Sequence, residues 1–292
     1  MKGIVISYSG NESLAESIAK GVTCEVGEIQ IRHFPDGESY LRLITDVLEK
    51  PVFVVASLHR PDDKFLPLYF LLRLLRDAGA ASVTLIAPYL AYMRQDKQFK
   101  PGEAVTSSYF GELLSPYIDK MITIDPHLHR RSSMNEVYTS PCKVLHASQL
   151  ISTWIKKSVA NAVLVGPDSE SEQWVSQVAK EADVPYFILN KERHGDRDVE
   201  ISFPETNRFT KHTPVLVDDI ISTARTMIVT VKRLLELGFN KPVCVGVHAI
   251  FADNSFRELI DAGAFQIATC NTIPHSSNCI DISPLIIESL RS

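Results

Sequence analysis

The stretch Pro214 to Met227, PVLVDDIISTARTM, restricts the fold more than any other part of the chain. Val215, Leu216 and Val217 form a short continuous apolar run. That is the pattern of a strand buried on both faces, as found in parallel sheets covered by helices. Asp218 and Asp219 follow, and the strand is expected to end at them. A small polar loop, Ser222-Thr223-Ala224-Arg225-Thr226, then opens a segment with Met227, Ile228, Val231, Leu234 and Leu235 at helical spacing, up to Gly238. An acidic pair on a strand, followed by a hydroxyl-rich turn into a helix, suits a sugar phosphate. Unpaired N–H groups and the positive end of the helix dipole hold the phosphate, and the carboxylates accept hydrogen bonds from a vicinal diol. The competing reading is a strand-end turn that only caps a helix.

The same order of elements occurs earlier in the chain. Pro51-Val52-Phe53-Val54-Val55-Ala56-Ser57 reads as a strand, then comes a polar turn, a helix from about Phe65 to Gly79, and a strand Val83 to Ala87. Arg73 to Gly79 sits where Arg233 to Gly238 sits in the second half, which points to a duplicated α/β unit. The first copy has Ser57-Leu58-His59-Arg60 in place of the acidic pair, so the two halves should bind different groups. With 292 residues there is room for two domains with cores of their own. The boundaries expected are 1-145 and 146-279, with 280-292 packing back on the first domain. The remaining elements follow the same alternation, including a helix around Glu172 to Ala182, one from Phe251 to Gly263 and a strand from Phe265 to Cys270.

Composition removes several classes. A net charge of −5 argues against a general nucleic-acid surface. No apolar run reaches membrane-spanning length, and Gly3-Ile4-Val5-Ile6 follows the first two residues without a signal-peptide pattern. Cys24, Cys142, Cys244, Cys270 and Cys279 are scattered, with no CxxC spacing. They read as reduced thiols of a cytoplasmic protein.

Several loops carry more charge than a turn needs. After the strand ending at Ala87, Arg94 and Lys97 can neutralise a polyphosphate, and Gln95 and Asp96 can hydrogen-bond a base or ribose. Met121 to Ile124 delivers Asp125-Pro126-His127-Leu128-His129. His127 and His129 lack a third ligand at zinc spacing, and His129 has no assigned role. Ala162 to Val165 runs into Gly166-Pro167-Asp168, a carboxylate just past a strand, where ligands gather in open α/β sheets. Asn190 to Asp198 holds Lys191, Arg193 and Gly195 and by itself reads as a surface loop. Phe34-Pro35-Asp36-Gly37-Glu38 contains a strong turn signal.

Taken together and in their order along the chain, from Phe34–Glu38 to Asp218–Thr226, these segments resemble the ribose-phosphate diphosphokinases (PRPP synthetases), and Pro214–Met227 resembles the PRPP motif that this family shares with phosphoribosyltransferases. The resemblance covers nearly the whole chain. It implies two tandem phosphoribosyltransferase-type (type I) domains, each a mostly parallel sheet flanked by helices. The implied reaction is transfer of the β,γ-diphosphoryl group of ATP to the C1 hydroxyl of ribose 5-phosphate, giving PRPP and AMP. By the same resemblance Phe34, Asp36 and Glu38 reach the ATP site of a neighbouring subunit, and Arg94, Gln95, Asp96 and Lys97 bind ATP within their own. His127 serves a Mg2+–nucleotide site, and Asp168 faces a second metal and the ribose phosphate. Lys191 and Arg193 act on the transferring group, and Asp218, Asp219 and Ser222 to Thr226 bind ribose 5-phosphate. A homo-oligomer built from dimers, such as a hexamer, is implied as well. The family usually has glycines in the phosphate turn, where this chain has Ala224 and Arg225. That departure keeps a non-catalytic regulatory homologue as an alternative. A phosphoribosyltransferase would not need the Arg94–Lys97 and Lys191–Arg193 segments.

Overall fold

A computed structural model describes residues 3–128, 130–166, 172–194, 198–202 and 209–292. The chain divides into two compact units, 1–145 with 283–292, and 146–282.

The first unit is built from β1 (Ile4–Ser7), α1 (Glu12–Val22), β2 (Glu25–Gly27), the hairpin β3 (Ile29–His33) and β4 (Ser39–Leu43), β5 (Pro51–Val55), α2 (Pro61–Asp77), β6 (Ser82–Ala87), α3 (Thr106–Leu114), β7 (Lys120–Ile124) and β8 (Cys142–Leu145). The second holds α4 (Ser148–Ser158), β9 (Ala162–Gly166), α5 (Glu172–Ala182), β10 (Tyr186–Ile188), the hairpin β11 (Asn190–His194) and β12 (Asp198–Ser202), β13 (Thr213–Ile221), α6 (Arg225–Glu236), β14 (Val243–Ala249), α7 (Ser255–Asp261), β15 (Gln266–Cys270) and β16 (Asn278–Ile280). The last helix, α8 (Ser283–Arg291), returns to the first unit and packs on α1.

Each unit has a six-stranded sheet, ordered β2-β1-β5-β6-β7-β8 in one and β10-β9-β13-β14-β15-β16 in the other. Every pairing within them is parallel. The orders match position for position, and each unit places a two-stranded antiparallel hairpin between its second and third core strands. The duplication read from the chain is therefore present as topology. Strands β1, β6, β9 and β14 are almost wholly buried, which is why they are mainly apolar and show no regular inward–outward alternation of polar residues. Among the described residues, no helix is long and apolar enough to cross a membrane.

Some element ends differ from expectation. β13 does not stop at Asp218 and Asp219 but continues to Ile221, because β14 offers a partner as far as Ile221↔Ala249. α2 begins at Pro61, not near Phe65. Proline suits the first turn of a helix, and Asp62 and Asp63 complement its dipole, so the polar turn expected there is the helix start itself. α7 is shorter than Phe251 to Gly263, since Phe251 and Asp253 take positive φ and keep the entry non-helical.

Candidate functional site

The chemistry-bearing loops leave the carboxyl ends of the parallel strands, the edge at which open α/β sheets bind ligands. In the second unit that edge is built around β13. Its pairing with β9 ends at Leu216↔Val165, while its pairing with β14 runs on through Asp218↔Gly246 to Ile221. Asp218 and Asp219 therefore lie where the strand is paired on one side only, and both are half-buried. The Asp219 N–H donates to Asp218 Oδ1 at 2.9 Å. The Thr272 hydroxyl donates to the Val247 carbonyl on the neighbouring strand (2.8 Å), so its oxygen accepts from His248 Nδ1, 2.9 Å away. This buried pair fixes the backbone next to the acidic strand, and reading the sequence alone missed it.

The turn after β13 is held from below. The Ser222 carbonyl accepts from Ser255 Oγ (2.8 Å) and the Ala252 N–H (3.1 Å), and the Ile221 carbonyl accepts from the Phe251 N–H (2.9 Å). Ala224 then adopts the left-handed conformation, φ 53° and ψ 10°, with its methyl buried. That is the backbone state the usual glycine supplies without steric cost. α6 starts at Arg225, its first turn contains no acidic residue, and no side chain caps it. Its leading N–H groups and dipole are thus suited to an anion.

The equivalent turn in the first unit is differently furnished. α2 is likewise entered through a left-handed residue, Arg60 (φ 50°), but Asp62 and Asp63 already answer the dipole. Lys64 Nζ donates to the Ser57 carbonyl (3.1 Å) and lies 3.2 Å from His59 Nδ1. Burial first, and then the Lys64 and Arg60 charges, push the His59 imidazole down to about 4. Burial and Arg60, opposed by Asp63, bring the Lys64 ammonium down to about 8.

The charged segment after β6 is anchored on α2 and α3. The Tyr92 hydroxyl donates to the Asp62 carboxylate, and its ring lies 4.9 Å from that of Phe110. Burial first, and then Asp62, push that phenol up to about 12. Gln95 Oε1 accepts from Thr106 Oγ1 at 3.3 Å. The Asp96 side chain is only 3% exposed and is paired with Arg130 at 3.1 Å. Arg131 ties the segment down: its Nη2 donates to the Asp96 carbonyl (3.3 Å), Ser107 Oγ (3.0 Å) and Ser108 Oγ (3.2 Å). Arg94 and Lys97 remain exposed. α3, which receives these bonds, lies so close to Val137 that a Cβ on Gly111 would meet its carbonyl oxygen at 2.3 Å. Neither Arg130 nor Arg131 was singled out from the sequence, although the doublet stands three residues beyond His127.

Asp125 and His127, both half-buried, end β7 on the same edge. Among the described residues, no three His, Cys, Asp or Glu side chains cluster as a complete metal site. A carboxylate and an imidazole are donors that would suit a divalent ion carried by a polyphosphate. Asp168 lies outside the described residues. Phe34 sits at the tip of the β3–β4 hairpin, 41% exposed, edge-on to Tyr40 and with the Arg32 guanidinium 4.7 Å from its ring centre. Gly37 (φ 92°) makes the turn, and the Glu38 N–H donates to Asp36 Oδ1 at 3.2 Å. Lys191 and Arg193 lie on β11, opposite Ile201 and Val199 of β12.

Comparison with known proteins gives a consistent set. Residues 4–116 match the N-terminal domain of ribose phosphate pyrophosphokinase, and residues 136–285 match the phosphoribosyl transferase domain. The chain is 31% identical to a ribose-phosphate pyrophosphokinase of Sulfurisphaera tokodaii, covering 98% of this chain and 100% of that one. It is 32% identical to ribose-phosphate pyrophosphokinase 2 of Archaeoglobus fulgidus, covering 98% and 99%. The fold resembles the crystal structure of phosphoribosylpyrophosphate synthetase from Mycobacterium smegmatis, with a TM-score of 0.86 at 22% identity over 100% of this chain and 98% of that one.

Proposed function

The chain belongs to the ribose-phosphate pyrophosphokinase family, and from that premise we propose how its residues divide the reaction. The enzyme transfers the β,γ-diphosphoryl group of ATP to the C1 hydroxyl of ribose 5-phosphate, releasing AMP. The observation that carries this reading is that the similarity spans the whole chain, both sheets included.

On the second unit, Asp218 and Asp219 take the ribose diol, and the turn from Ser222 to Thr226 with the start of α6 takes the 5′-phosphate. The left-handed Ala224 supports this, because the turn reaches the required shape without glycine. On the first unit, Arg94, Gln95, Asp96 and Lys97 bind ATP. His127 and Asp168 are the residues that would hold Mg2+, and the ion would supply neutralisation of phosphate charge. The anomeric hydroxyl attacks the β-phosphorus in line with the departing AMP, so the protein's contribution is positioning and charge stabilisation. Lys191 and Arg193 stabilise the charge that spreads over the transferring oxygens. Phe34, Asp36 and Glu38 complete the nucleotide site of a neighbouring copy, which makes the working form a homo-oligomer of dimers. A cytoplasmic location goes with this substrate pair.

A coupled assay for AMP release from ATP and Mg2+, with and without ribose 5-phosphate, tests the reading. AMP formed only with the sugar, and PRPP as co-product, is the expected result. ATP binding without AMP release would favour a regulatory homologue instead.

A further inference from the structure

Arg130 stands at the edge where β7 ends, three residues beyond His127, and it is held in an unusual way. Its Nη1 alone donates to Asp96, at 3.1 Å to Oδ1 and 3.3 Å to Oδ2. A bidentate pair would use two nitrogens. None of the described residues accepts from Nε or Nη2. Its guanidinium carbon lies 5.2 Å from the centre of the exposed Phe99 ring, and Lys97 Nζ lies 5.4 Å from the same centre.

If Arg130 served only to neutralise the buried Asp96, this arrangement would be wasteful. One carboxylate is compensated through one nitrogen, while a second cation is gathered on the same ring and Arg94 stays exposed nearby in sequence. The Nε–Nη2 fork, which no described residue engages, has the geometry that takes a phosphate through two parallel hydrogen bonds. The side chain is 46% exposed, against 3% for Asp96, so the fork is reachable while its anchor is not.

We propose that Arg130 is a phosphate-binding residue of the nucleotide site, aimed by Asp96 and Phe99 at the β- and γ-phosphates. This rests on reading the Arg94–Lys97 edge as the ATP site. Asp96 then becomes a positioning residue and not a contact to the base or ribose.

The test measures binding of ATP and of AMP, each with Mg2+, to the full-length protein by calorimetry. The wild type is compared with Arg130→Ala and Arg130→Lys. Because AMP lacks the two outer phosphates, Arg130→Ala should weaken ATP at least tenfold and AMP less than twofold. Arg130→Lys keeps a cation for Asp96 but has no fork, so it should fold normally and show an intermediate loss confined to ATP. Equal losses for both nucleotides would mean that Arg130 only shapes the loop, and no loss for either would remove it from the site; both outcomes overturn the proposal. Wild-type enzyme that makes PRPP while Arg130→Lys binds both nucleotides unchanged would sink this inference and leave the function standing. Wild-type protein that binds neither nucleotide would instead bring down the ATP-site reading, and this proposal with it.

Discussion

At Ala224 a side chain occupies a backbone state that suits glycine. The left-handed conformation costs an alanine roughly 1–2 kcal/mol, and here the surrounding hydrogen bonds to Ser222 and Ile221 impose it. A β-branched residue meets a larger penalty, so Ala224→Val should destabilise the protein by at least about 1–2 kcal/mol. It should also raise the KM for ribose 5-phosphate while ATP affinity holds. Urea denaturation and a substrate titration check this, and wild-type behaviour would show that the turn can relax. Lys191 offers a different test. If its charge matters only as the diphosphoryl group moves, Lys191→Ala lowers kcat on the order of 10²–10³-fold and leaves ATP binding almost unchanged. Affinity falling in step with rate would return Lys191 to ground-state binding.

At the scale of elements, the two equivalent helices α2 and α6 show how one topology serves two chemistries. Both are entered by a left-handed residue, yet only α6 presents a first turn free of carboxylates. The α2 entrance instead carries His59, held neutral to about 4 by its surroundings, against 6.5 when free. The unfolded chain binds the proton more readily across that window, so the His59 contribution to stability falls as the pH drops from about 6.5 towards 4 and is constant above it. His59→Asn should flatten that part of the acid-unfolding profile; an unchanged slope would mean the ring is solvated. Much of the element pattern was legible in the sequence. The apolar runs marked the strands, and α5 occupies the Glu172 to Ala182 span expected for it. The end of β13 was not legible, because the aspartates look like a strand end unless the reach of β14 is known. Nor was the partner of Asp96, since Arg130 lies 34 positions away and no local period links them. Local chemistry nominates residues, whereas the pairs that orient them are set by packing between distant segments.

For the whole molecule, each nucleotide site is proposed to borrow Phe34, Asp36 and Glu38 from a second copy. Specific activity should then fall on dilution in parallel with the loss of dimers, followed together by enzyme assay and sedimentation. Full activity in a monomeric species would refute the shared site. The return of α8 to the first unit has another effect. Ile286 is fully buried there, Ile287 fills the space beside Gly21, and Arg291 donates to the Gly21 carbonyl. Burying one such isoleucine contributes about 1.5–3 kcal/mol. The second unit is one continuous stretch, whereas the first needs residues translated after all of it. On the ribosome, the later-made half should therefore reach its native state before the earlier-made half, which waits with the side of α1 uncovered. Chains terminated at Ile282 should keep a protease-resistant 146–282 core and show an easily cleaved 1–145; equal resistance of both would show that the first half matures without its last helix.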